Sequence, residues 1–169
     1  YARSALKLGL GLQSELGINP FKFGMIGSTD SHTSLATADE DNFWGKTTTV
    51  EPSPTCAEEY ARYSAAGYAG VWAHENTRES LFAAMKRKEV YATTGTRIRL
   101  RLFAGWSFDD DDLYAHDRAT RGYAQGVPMG GQLPPSSTSE STPHLMISAA
   151  RDPLGANLDR VQVVKGWID

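Results

Sequence analysis

The sequence predicts an α/β segment followed by a small antiparallel β module, and three observations carry that expectation. Leu6, Leu10, Leu12 and Leu16, widened by Ala5 and Leu8, give residues 4–16 a broad apolar helical face. Short apolar runs at 21–27 and 70–73 then alternate with helix-like stretches through the first 95 residues. Near residue 96 the period changes to two: Ile98, Leu100 and Leu102 alternate with Arg97, Arg99 and Arg101. Residues 1–95 are therefore assigned to one portion and 96–169 to a second, β-rich and sandwich-like, with a flexible loop over about 106–143.

Each element follows from local chemistry. The first helix should stop at Gly17, with Pro20 just beyond. Phe21 to Gly27 reads as a short buried strand, followed by the polar turn Ser28-Thr29-Asp30-Ser31-His32. Residues 37–54 form an acidic loop around Asp39-Glu40-Asp41, and Ala57 to Ala66 a helix ended at Gly67. Gly70 to Ala73 is a strand. Asn76, with Glu79 three residues on, predicts a capping box; Leu81, Phe82 and Met85 then make the inner face of a helix. Lys86-Arg87-Lys88 suits the negative end of that helix dipole. His144 to Ala150 and Asp159 to Lys165 read as strands, whereas the run Asp109–Asp112 and the stretch Pro134 to Ser139 read as solvated loops.

Composition narrows the classes. The chain has 169 residues, 40% of them hydrophobic, and 17 Lys+Arg against 20 Asp+Glu give a net charge of −3. Disorder is excluded, and no basic footprint for nucleic acid follows. No apolar run approaches the roughly 18 residues of a membrane span. The lone Cys56 excludes an internal disulfide and leaves the compartment open between exported, periplasmic and cytoplasmic. It also has no neighbouring His to make it a nucleophile. The sequence opens on Tyr1-Ala2-Arg3 without an initiator methionine, so a piece of a longer protein is expected.

The chemistry concentrates in Ile26-Gly27-Ser28-Thr29-Asp30-Ser31-His32. On extended backbone, residues two apart face the same way, so the Asp30 carboxylate and His32 imidazole converge on one point. Oxygen and nitrogen donors together suit Zn, Mn or Fe. The bland reading is a turn-capping Asp beside an exposed His. Ser28 and Thr29 supply hydroxyls to the same turn, for the donors or for the backbone.

The run from Phe21 to His32 resembles the late metal motif of the PHP (polymerase and histidinol phosphatase) metal-dependent phosphoesterases. More specifically, the chain resembles the C-terminal part of a bacterial domain-of-unknown-function family, number 3604. That resemblance extends through Asn42 to Lys46, Gly70 to Ala73, Glu75 to Glu79, Tyr91 to Ile98 and Asn157 to Val161. It implies the end of a distorted β/α barrel, with Asp30 and His32 as metal ligands. The family's early His-x-His has no counterpart here: His32, His74, His116 and His144 stand singly. The remaining ligands are accordingly expected upstream of Tyr1, leaving this piece with an incomplete site, inactive alone and without its own metal.

Other candidates are weaker. His74 and Glu75 follow a predicted strand and are candidates for a ligand or for a group that orients one, although Glu75 equally suits the dipole of the next helix. Arg97 could bind an anionic substrate through its planar fork, or simply belong to the arginine face of its strand. Two functions result: part of a metal-dependent hydrolase of small-molecule phosphoesters, or a non-catalytic binding or docking module carrying a relic Asp-x-His turn. A barrel piece would also expose apolar faces and self-associate.

Overall fold

A computed structural model of the chain describes residues 1–34, 45–47, 49, 53–55, 58, 67–137 and 142–168. The elements are helix α1 (Ala2–Leu16), strand β1 (Tyr68–Val71), helix α2 (Arg78–Arg87), strand β2 (Val90–Thr93), strand β3 (Arg99–Gly105), helix α3 (Asp110–Tyr114), helix α4 (Arg118–Gln125), strand β4 (Gly126–Pro128) and strand β5 (His144–Ala150). They build two small antiparallel sheets. One pairs β1 with β2, and the other has the order β4-β3-β5. The fold is mixed α and β as the pattern predicts, but the described residues form no barrel and no second sheet facing β3. The expected sandwich is instead one sheet backed by helices.

Helix α1 ends where a left-handed residue is cheap: Gly17 has φ 74° and its amide bonds back to the Gln13 carbonyl. Its leucine stripe, however, stays largely outside, with Leu8 and Leu16 exposed and Gly9 the buried residue. Gly9 is the contact because the Asn19–Phe21 return lies against it, where a side chain would collide with Asn19. Residues 21–27 form no strand. They run along the β1–β2 pair without joining it: Gly24 lies against Lys88 and Val90 at one end, and Gly27 against the Tyr68 and Thr93 carbonyls at the other. Met25 and Ile26 are left exposed.

Helix α2 forms, with its cap one residue later than expected. Thr77, not Asn76, has the extended backbone of a cap, and its hydroxyl accepts from the Ser80 amide at 3.3 Å. The inner residue is Ala84, fully buried, while Phe82 and Met85 face outward. The Glu79 box is therefore not used. The helix predicted over 57–66, apart from Glu58, lies outside the described residues, as do the acidic triplet at 39–41 and Cys56.

The second sheet holds the core. Phe103, Phe108 and Met146 are buried together, with Leu113 packed against them. Phe103 and Met146 are register partners, as are Arg101 with Ser148 and Arg99 with Ala150. All six lie on one sheet face, since alternate residues point the same way. The arginine side of β3 is thus the side that carries the core Phe103, not a purely solvated face. Gly122 of α4 lies over Phe103; a Cβ there would fall 2.6 Å from the ring.

Residues 106–137 hold more regular structure than their composition suggests. The acidic run opens α3 through a reciprocal cap: the Asp109 carboxylate accepts from the Asp112 amide, and the Asp112 carboxylate accepts from the Asp109 amide. Asp112 is buried and also accepts from Arg121 of α4 at 3.0 Å and from Gln125. That run is a structural hinge-pin between two helices rather than a loop. The predicted strand 159–165 joins neither sheet, and Val161, Val163 and Val164 are exposed; Leu158, Arg160 and Val161 instead line a hollow beside Tyr91 to Thr93 of β2 and Ala149 of β5.

Arg121 holds the Asp112 carboxyl below the usual carboxylate range, against the opposing cost of burial. A lowered folded-state pKa stabilises the fold above the ordinary value of about 4 and is lost as pH falls through that value and the lowered one. Asp112→Asn is therefore expected to lower the urea midpoint at pH 7 and to narrow the difference between pH 7 and pH 3. An unchanged difference would show that the pair does not contribute.

Candidate functional site

The Ser28–Thr33 turn is built from short hydroxyl bonds to its own backbone. Ser28 Oγ accepts from the Asp30 amide at 3.3 Å, and Thr29 Oγ1 from the Ser31 amide at 3.2 Å. Ser31 Oγ donates to the Gly45 carbonyl, and the His32 amide donates to the Lys46 carbonyl at 2.7 Å. The hydroxyls thus brace the turn against residues 45–46. Thr29 is buried, whereas the Asp30 carboxylate is 70% exposed.

Asp30 has φ 54°, in the left-handed region that Asp tolerates better than most side chains. This changes the expected geometry. Two-residue alternation presumes extended backbone, and the left-handed residue breaks it within the motif. Asp30 and His32 share one turn, and the side that each side chain takes is set by the turn, not by a strand. The Asp30 carboxylate has a cation beside it already: Lys46 Nζ lies 3.4 Å from Oδ2. Lys46 is the more buried partner, at 16% exposure.

His74 and Glu75 sit in the exposed bend between β1 and α2. The Glu75 amide donates to Ser80 Oγ at 3.4 Å, which ties the bend to the first turn of α2. Among the described residues, no three His, Cys, Asp or Glu side chains are grouped to hold a metal ion. Asp30 and His32 match Zn, Mn or Fe in donor chemistry, but two donors are short of a closed or catalytic set.

Arg97 is not part of β3. Its amide donates to Asp152 Oδ2 at 2.7 Å, and its guanidinium lies 5.0 Å from the Tyr68 ring centre. That amide, together with the Leu154 amide, holds the Asp152 carboxyl below its ordinary range. The residues that sequence reasoning passed over are Arg99 and Arg101, read there only as members of a polar face. Arg101 stacks on Trp72 at 4.2 Å and donates to the Tyr123 hydroxyl at 3.0 Å. The signal was present in the parity: Arg99, Arg101 and Phe103 share a strand face.

A family model described as "Protein of unknown function (DUF3604)" matches residues 1–169. No curated protein and no solved structure matches the chain. No helix among the described residues is long and apolar enough to cross a membrane.

The exposure of Asp30 and His32 predicts that neither supports the fold. Asp30→Ala and His32→Ala should each shift unfolding free energy by no more than about 1 kcal/mol, the range of exposed ion pairs and surface residues. Urea titration followed by far-UV circular dichroism measures this, and a larger loss would make the turn a structural element.

Proposed function

We propose that, in this chain of the DUF3604 family, Asp30 and His32 are part of the metal centre of a hydrolase acting on small-molecule phosphoesters. The observation that carries this reading is the placement of Asp30. An exposed carboxylate stands on a turn braced by three hydroxyls, with a positive charge already 3.4 Å away on Lys46. Such a turn fixes the position of a donor while leaving it accessible, which is what a shared ligand needs. The resemblance of residues 21–32 to the late PHP motif points the same way.

A bound divalent ion would lower the pKa of a water and polarise the ester. This chain's own contribution is narrower. Asp30 supplies an anionic oxygen, His32 an imidazole nitrogen, and Ser28, Thr29 and Ser31 keep the loop in shape. Further donors have to come from beyond this turn, with His74 and Glu75 as reserve candidates. The second reading is a non-catalytic binding module in which the turn is a relic. The observation that favours it is the shortage of donors among the described residues.

Equilibrium dialysis of the full-length protein against Zn²⁺ and Mn²⁺, with metal content read by mass spectrometry, separates the two. The proposal expects the Asp30→Asn/His32→Gln double variant to retain about a tenth of the metal held by the unmodified chain, roughly the loss of 1.4 kcal/mol in binding. Lys46→Gln, which removes the competing ammonium, should raise retention. Equal metal content in all three would overturn the reading.

A further inference from the structure

We propose that the cationic hollow on the β3–β5 face binds a small phosphate monoester, at a site separate from the Asp30 turn and independent of any hydrolase activity. The register of the sheet creates it. Going from the Phe103–Met146 pair to the Arg99–Ala150 pair, the face changes from apolar to cationic within two residue pairs. Helices α3 and α4 cover only the apolar end. Their connection, Ala115 to Asp117, then passes beside the arginines and encloses a hollow of about 640 Å³. That is the size of a small-molecule pocket.

The charges in this hollow are one-sided. Arg99, Arg101, Arg118 and His116 line it, with Asp117 as the one carboxylate. Asp117 shares Arg121 with Asp112, so a single carboxylate faces the arginines of the hollow and the balance there stays cationic. Three guanidinium groups consequently share a concave site in a chain whose net charge is −3. Arg101 is fixed by its stack on Trp72 and its bond to Tyr123, while Arg99 and Arg118 are exposed and have no carboxylate partner among the described residues.

This arrangement selects the ligand class. A planar guanidinium fork matches the oxygens of carboxylate, phosphate or sulfate. Of these, a phosphate monoester brings nearly two charges at neutral pH, and so best offsets several fixed cations without a counter-carboxylate. The Ser148 hydroxyl on the floor offers another donor, and Trp72 with Met146 offers apolar surface for the ester's organic part. A second groove, of about 1090 Å³ between α1 and residues 164–167, is lined by Arg3, Lys7, Lys22, Lys88 and Lys165, but only one of these five cations carries the planar fork.

The test uses phenyl phosphate, phenyl sulfate and benzoate as probes, titrated against the metal-free 169-residue chain by calorimetry. Phenyl phosphate should bind at least about tenfold more tightly than either monoanion. Arg99→Gln/Arg118→Gln should weaken it about tenfold or more with an unchanged thermal midpoint, whereas Arg3→Gln/Lys7→Gln in the other groove should leave it unaltered. Three results would overturn the proposal: no heat of binding up to about 10 mM, equal affinity for the three probes, or loss in the Arg3/Lys7 variant alone. Because no metal is present, failure of the Asp30 centre leaves this measurement unaffected.

Discussion

The Glu89 carboxylate, buried to 4% exposure, joins the two sheets of this molecule. One oxygen accepts from Arg87 at 2.9 Å and the other from the Tyr123 hydroxyl at 2.7 Å. The Tyr123 oxygen in turn accepts from Arg101, whose guanidinium lies on Trp72. Trp72 closes the circuit: its amide donates to the Glu89 carbonyl, and its indole N–H donates to the Leu100 carbonyl. A buried carboxylate without such partners would cost several kcal/mol. With them, the end of β1, the start of β2, the middle of β3 and helix α4 are held at one point. Burial and the hydrogen bond to Glu89 also push the Tyr123 phenol up.

This circuit spans residues that the change of period at 95/96 had placed in two different portions. The change in period is real at the level of local structure, since β3 begins at Arg99. Packing nevertheless runs across it through side chains that pattern analysis treats as surface: a Trp, an Arg, a Tyr and a Glu. Each of them carries an apolar body with a polar tip, and such residues can close a small interface where the aliphatic core is thin.

Legibility in the sequence followed the same divide. Helix α1 with its Gly17 stop and strands β3 and β5 were readable from period and stop residues, and helix α2 in its existence and extent, though not in its cap or its inner face. Helices α3 and α4 were not. The Asp109 and Asp112 cap has the right spacing but is hidden in four consecutive acids, and Gly122 lowers the helix propensity of α4 in exchange for close approach to Phe103. Val161, Val163 and Val164 misled in the other direction, because alternation announces a strand only where a partner edge exists. In the candidate site, the pairing of Asp30 with His32 was visible as spacing. The left-handed turn, the Lys46 contact and the bracing hydroxyls were not, since they depend on how residues 28–33 meet residues 45–46.

The alternation along β3 also bears on which changes in chain length the protein can survive. A strand has two faces, and losing or gaining one residue exchanges them. A single deletion at 100–102 would swing a leucine over Trp72 and carry a guanidinium to the opposite face, away from Tyr123, which breaks the circuit. Length changes between β4 and β5 carry no such penalty, because the loop only has to return the chain to register at His144. Among natural variants of this chain, insertions should therefore gather around residues 133–143 and be absent from 99–105.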